Sequence, residues 1–233
     1  MNNKKFRMFA VPYIVWMLIF TIIPLALIAF FAFTDRHGGG FTLDNVKYAS
    51  QYLPVLVKSV ALAAIATVIC LVISYPLAYI MSQMKINHQR MMVMLVMLPM
   101  WMNFLLRTYA WMTILETKSG LLNTILTSLG LSPAHIMYTQ GAVILGMVYN
   151  YIPYMIMPLY TIMVRLDRRL VEAAQDLGCN TFHVFRKVII PLSFPGITSG
   201  VTMTFVPAVS TFVISQLLGG PSNYLIGDLI ESN

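Results

Sequence analysis

"EAAQDLGCNTFHVFRKVIIP", residues 172–191, is a polar, basic, glycine-broken stretch set between two long apolar runs. Its meaning depends on what surrounds it. Of the 233 residues, 58% are hydrophobic and only 10% are charged, and the mean hydropathy is +0.76. A water-soluble domain carries about 25% charged residues. A surface this poor in charge belongs in lipid, so the class is a membrane protein. The net charge of +7 raises nucleic acid as a partner. Membrane proteins place their basic excess in cytoplasmic loops, so position decides between the two. Cys70 lies in an apolar run and Cys179 in the polar stretch, which gives no disulfide framework.

Working outward, five runs are long and apolar enough to cross a bilayer, which takes about 20 helical residues. They cover residues 8–33, 60–81, 91–115 (interrupted by Arg107), 141–164 and about 192–218. A secretory signal would have an apolar region of only about 7–15 residues, so the first run reads as a retained span. Runs apolar on all sides are helices, because lipid cannot satisfy an open backbone. The fold class is therefore all-α, a polytopic bundle in one domain, residues 1–233.

With the N-terminus inside, ten basic residues are cytoplasmic: Lys4, Lys5, Arg7, Lys85, Arg90, Arg165, Arg168, Arg169, Arg186 and Lys187. Four are external: Arg36, Lys47, Lys58 and Lys118. That asymmetry follows the positive-inside rule and puts residues 165–191 in the cytoplasm. No single face gathers the basic residues, so nucleic acid is not expected as a partner. The external loops, 34–59 and 116–140, are short. Gly38-Gly39-Gly40 reads as a flexible turn and not as a phosphate cradle, since no Lys-Ser or Lys-Thr follows. The tail from Gly219 onward then falls outside, because five spans leave the termini on opposite sides.

Within the opening stretch, Leu170, Ala173, Ala174 and Leu177 recur at helical spacing. Gly178 stands where such a helix stops, and Asn180 or Thr181 can cap a second. Phe182, Phe185 and Val188 or Ile189 form the second helix's stripe, and Pro191 marks the approach to the next span. Two short amphipathic helices with a tight turn can lie in the headgroups, join two spans, or fill a groove on a cytoplasmic partner.

Glu172-Ala173-Ala174, then Gly178, then Val188-x-Ile190-Pro191 resembles the EAA motif of ABC-importer permeases, in which Gly follows EAA by three residues and Ile-x-Leu-Pro follows Gly by nine. Val188 and Ile190 depart from it conservatively. Ser74-Tyr75-Pro76-Leu77-Ala78-Tyr79 is similar to the same superfamily. Leu98-Pro99, Arg107 through Trp111, Gly120 through Asn123, and Gly219 through Asp228 resemble the polyamine (spermidine/putrescine) permeases, closest to their B-type subunit.

The resemblance implies the type I importer permease fold, with six spans expected and five present, the sixth missing because the sequence is a fragment or is truncated. It implies a subunit of the bacterial cell (inner) membrane, multi-pass, with a cytoplasmic N-terminus, embedded in lipid. A second permease subunit, a cytoplasmic ABC ATPase dimer and an extracellular or periplasmic polyamine-binding protein would be its partners. Glu172, Ala173, Ala174, Gly178 and Pro191 would couple it to the ATPase. It would hold no cofactor: the chain has no Walker-type Gly-x4-Gly-Lys-Ser/Thr, so ATP is bound by the partner. It is not expected to be an enzyme. Permeation of another small solute, or a non-transporting scaffold that binds the ATPase, are the other readings.

For the substrate path, a polyammonium ligand calls for carboxylates and aromatic faces. Glu116 and Asp228 lie at external ends of spans, and Tyr151 and Tyr154 share a face of the fourth helix with Asn150 nearby. Arg107, a charge inside a span, is aligned with Asn103 and Trp111 at a spacing of four. It reads as a structural charge or as a gating one. Gly196-x3-Gly200 with Ser199 permits close helix packing. His37, His88, His135 and His183 show no ligand spacing, so neither a metal nor a catalytic triad is expected.

Overall fold

The computed structural model describes residues 11–34, 40–117, 120–220 and 223–232, without the side chains of Arg168 and Ser232. Lys4, Lys5, Arg7, Arg36, His37, Gly38, Gly39, Lys118, Pro221 and the first residues of the first span lie outside them. The chain divides into two compact units, one through Pro54 and one from Val55.

In the first unit, α1 (Val11–Ala32) is the first apolar span and contains a π-helical turn at Leu18–Ile22. It is followed by α2 (Asp44–Ser50). The Asn45 amide ties the two by donating to Phe31 O and Thr34 O, at 3.1 and 3.0 Å.

The second unit is built on α3 (Leu53–Gln83), 31 residues long. Its buried positions, Ser59, Ala63, Ala66, Thr67, Cys70, Ser74 and Ala78 among them, follow the helical repeat and are small. Its large aliphatic residues, such as Val68, Val72 and Ile73, are exposed. This arrangement suits lipid, where helices associate through close backbone approach and the bulky side chains meet acyl chains.

The third apolar run is not one straight span. It forms α4 (Ile86–Trp101) and α5 (Phe104–Leu115), bent by 89°. Asn103 is not on the α5 face but caps its N-terminus, its Oδ1 accepting from Leu105 N at 2.8 Å. Its extended backbone, with that of Met102, makes the elbow. α6 (Leu121–Ser128) occupies what the sequence showed only as a loop. Asn123 holds that loop shut, donating to Thr117 O and Ala134 O while accepting from Ala134 N at 2.8 Å.

α7 (Gln140–Met163) matches the fourth run. After the short α8 (Arg168–Asp176), α9 runs without a stop over Thr181–Val209. The fifth span therefore begins about ten residues before Leu192 and absorbs the expected second amphipathic helix. Pro191 sits inside it. A proline ring would clash with the carbonyl four residues back, here that of Lys187. The π-helical turn at Phe185–Ile189 widens the ladder just there, with Ile190 N bonded to Phe185 O.

α7 and α9 form the main helix pair. A side chain on Gly200 would come within 2.8 Å of Met155 Sδ and 3.2 Å of Met155 O, so glycine sets their separation. α9 ends at Val209, before Leu218. A π-helical turn (Ser215–Gly219) and α10 (Ile226–Ser232) follow. Among the described residues four helices are long and apolar enough to span a membrane, and the α4–α5 pair makes a fifth if counted as one span.

Candidate functional site

Two regions carry the candidate residues. The first is the helix pair around Gly178. Asp167 Oδ1 caps α8 by accepting from Arg169 N. The helix ends in a Schellman turn: Gly178 N bonds Gln175 O at 2.8 Å and Cys179 N bonds Ala174 O at 3.1 Å. Gly178 has φ +82°, with nothing within 4 Å of where a Cβ would stand. Backbone conformation, and not space, therefore calls for glycine. Asn180 then caps α9, its Oδ1 accepting from His183 N at 2.8 Å.

The expected apolar face is largely open. Leu170 is exposed, Leu177 is 85% exposed and Phe182 67%. Glu172 and Ala173 are exposed, and Ala174 is half-buried. Phe182 thus leaves the inner stripe, which is made by Val184, Phe185 and Ile189. Phe185 meets Tyr75 and Tyr79 of α3 edge to face, with centroids 5.5 and 5.8 Å apart. The Tyr75 hydroxyl pairs with Ser193 Oγ at 2.7 Å. The structure therefore joins the exposed helix pair to the span core through the Phe185 ring and the buried Val184 and Ile189.

The second region is the opposite end of the second unit. Arg107 is 7% exposed, among the described residues its Nε and Nη1 have no hydrogen-bond partner, and its guanidinium lies 5.9 Å from the Phe104 ring centroid. Trp111 packs edge to face on Tyr149 at 5.2 Å. Glu116 closes α5 and lines a cavity of about 360 Å³ with Tyr109, Met112, Met137 and Tyr138. Tyr151 is buried and donates to Pro207 O at 3.3 Å. Tyr154, 6.3 Å from it ring to ring, faces instead an apolar groove of about 540 Å³ between α4, α7 and α9.

Asp228 is 2% exposed, with Oδ2 accepting from Leu225 N at 2.6 Å and Oδ1 unpartnered. Burial pushes its carboxyl above the ordinary carboxylate range, while the Leu225 N–H and the nearby Ser215 and Gln216 side chains oppose that shift. Among the described residues, no hydrogen bond or ring contact joins Asp228 to Arg107 or Trp111. The candidates for a path thus do not form one cluster: Glu116 and Tyr154 line separate cavities. Sequence reasoning missed the latch beside them: Lys58 Nζ donates to Asn223 Oδ1 (3.1 Å), Asn223 Nδ2 to Tyr138 O, and Ile226 N to Ser59 Oγ. Asn223 fell within a quoted stretch, but partners this distant along the chain leave no local pattern.

Residues 1–232 match the family described as binding-protein-dependent transport system inner membrane component. The chain belongs to that family. It is a multi-span inner-membrane transport component and not an enzyme. Among its relatives, the spermidine/putrescine transport system permease protein PotB of Haemophilus influenzae is 40% identical, aligned over 99% of this chain and 84% of the relative. PotB of Escherichia coli is 39% identical over 93% and 82%. In fold, the chain is similar to a chain of a bacterial alginate ABC transporter solved in complex with a pentasaccharide-bound periplasmic protein. The TM-score is 0.74 and the identity 17%, with 99% of this chain and 82% of that chain covered.

Proposed function

We propose that this chain is a permease subunit of an ATP-driven importer of polyamines. The observation that carries the reading is the 38–40% identity, over almost the whole chain, to permeases of spermidine and putrescine transport. It builds the translocation path with a second permease subunit and takes its cargo from an extracellular or periplasmic binding protein. A pair of cytoplasmic ATPases supplies the nucleotide chemistry. The N-terminus is cytoplasmic, which places α8 and the start of α9 on the ATPase side.

Glu172, Ala173, Ala174 and Gly178 form the coupling element, and Pro191 shapes its exit into α9. The exposed Leu170, Leu177 and Phe182 support this reading, because a compact helix pair with an apolar tip fits a groove. Closure of the ATPases moves the pair as a lever, and Phe185 passes that motion to α3. Arg107, Trp111, Glu116, Tyr151, Tyr154 and Asp228 line or border the path. The test is reconstitution of the chain with partner permease, ATPase and binding protein in proteoliposomes. ATP-dependent uptake of labelled spermidine or putrescine is the expected result. Uptake of a different solute, or ATPase binding with no uptake, would sink the polyamine reading.

A further inference from the structure

The last turn of the path region holds a group whose chemistry is incomplete. Asp228 is 2% exposed, and among the described residues only one of its two oxygens has a partner. A buried carboxylate without a compensating charge is strongly destabilising even after relaxation. Ionisable groups within membrane spans mark ion or substrate pathways, and Asp228 lies just beyond the last described span.

Its chain neighbour Gly227 packs against carbonyl acceptors. α9 stops at Val209, so the negative end of a 29-residue helix, Thr181–Val209, points at this region. Ser210 O and Thr211 O, just past the break, lie against Gly227, each 2.6 Å from where a Cβ would be. Any side chain at 227 would drive α10 off the break. Glu231 is one turn along α10 from Asp228, and its negative charge adds to the same field. The hydroxyl of Ser215 is donated to Phe212 O, and the amide of Gln216 to Glu231 Oε2. Lys58 gives its ammonium to Asn223. Among the described residues no cation pairs with Asp228.

We propose that Asp228 and the carbonyl-rich break after α9 form a subsite for one primary ammonium group of the transported cation. This rests on the polyamine reading above and narrows its path to one point of charge recognition. An alkylammonium carries three N–H donors on a compact charge, so one carboxylate oxygen and two carbonyls complete it. A divalent metal would ask for about six or more oxygen ligands. The broken end of a membrane helix supplying carbonyls to a cation is a general solution for sites at membrane depth. Arg107, whose own charge repels the ligand, stands on α5 without contact to this carboxylate.

The experiment measures equilibrium binding of radiolabelled spermidine to the purified complex of full-length chain, partner permease and ATPase, without the binding protein. Asp228→Asn is expected to weaken binding at least tenfold, and Asp228→Glu to stay within threefold. In the wild-type complex, spermidine quaternised by methylation at every nitrogen keeps its charge but loses its N–H donors, and is expected to compete at least tenfold less well. Unchanged binding by Asp228→Asn, or equal competition by the methylated amine, overturns the subsite. Loss of the partner permease on purifying Asp228→Asn also overturns it, because the carboxylate would then pair with a subunit cation. Wild-type complex that imports no polyamine in proteoliposomes defeats the functional reading itself, a result separable from all three.

Discussion

Gly178 shows how one backbone angle sets the shape of the proposed coupling element. Its φ of +82° costs a residue with a Cβ about 1–2 kcal/mol, although the space around it is empty. Gly178→Ala is therefore expected to loosen the Schellman turn without any clash. Hydrogen exchange at the amides of residues 178 and 179 should rise roughly five- to thirtyfold, the equivalent of that energy. Gly178→Asn should lie between the two, since asparagine tolerates the left-handed region. Exchange unchanged in the alanine variant would mean that the turn is held by other contacts. This position was legible in the sequence because the need is local: a glycine after the last apolar position of a helical repeat. Asn123 and Asn103 were not, because their roles lie in what their amides reach. Asn123 bonds a loop residue 11 positions away, and Asn103 caps a helix that the apolar pattern had run straight through.

Among the elements, the spans were legible as apolar runs, but their ends were not. Hydropathy does not distinguish a straight span from the 89° bend of α4 and α5. Pro191 suggested a boundary because a proline breaks an α-helical ladder, whereas the π-helical turn before it lets α9 continue. That continuity makes Phe185 part of the span and of the proposed coupling element at once. Edge-to-face pairs contribute about 0.5–1.5 kcal/mol beyond burial. Phe185→Leu, which keeps most of the volume, is expected to raise the ATP hydrolysed per molecule imported while the ATPase stays bound. An unchanged stoichiometry would reduce the ring to packing. Gly200 tests the other face of α9. Gly200→Val drives side-chain atoms into Met155 and is expected to cost about 1–3 kcal/mol as overpacking. Ser199→Val beside it faces the open groove and should change stability by only about 0.5 kcal/mol. Thermal unfolding of the purified complex in detergent compares the two, and equal midpoints would refute glycine-set spacing.

At the scale of the whole molecule, two kinds of exposed apolar surface must be told apart. The aliphatic residues on the outer side of α3 belong to lipid, as the small residues on its buried side imply. Leu177 and Phe182 stand instead in the most polar segment of the chain, beside Arg169, Glu172, Asp176, Arg186 and Lys187. An apolar tip ringed by charge is the composition of a protein–protein contact, with an anchor at the centre and a polar rim. The fold makes little use of Leu177, which is 85% exposed. Substituting such a residue changes stability by about 0.5 kcal/mol at most. Leu177→Glu should therefore leave the chain in the membrane at its normal level and with its normal unfolding midpoint. Burying the new carboxylate in a partner's groove is another matter, because an unpaired charge there costs several kcal/mol, about 3–5 in broken pairs. At 1.4 kcal/mol per tenfold, the ATPase should bind at least a hundredfold more weakly. Co-purification of the ATPase on the tagged permease complex reads this directly. Leu129→Glu, exposed at the end of α6 at the other end of the second unit, is the matched control and should retain the ATPase. Equal retention by both variants would remove the tip at Leu177 from the ATPase interface.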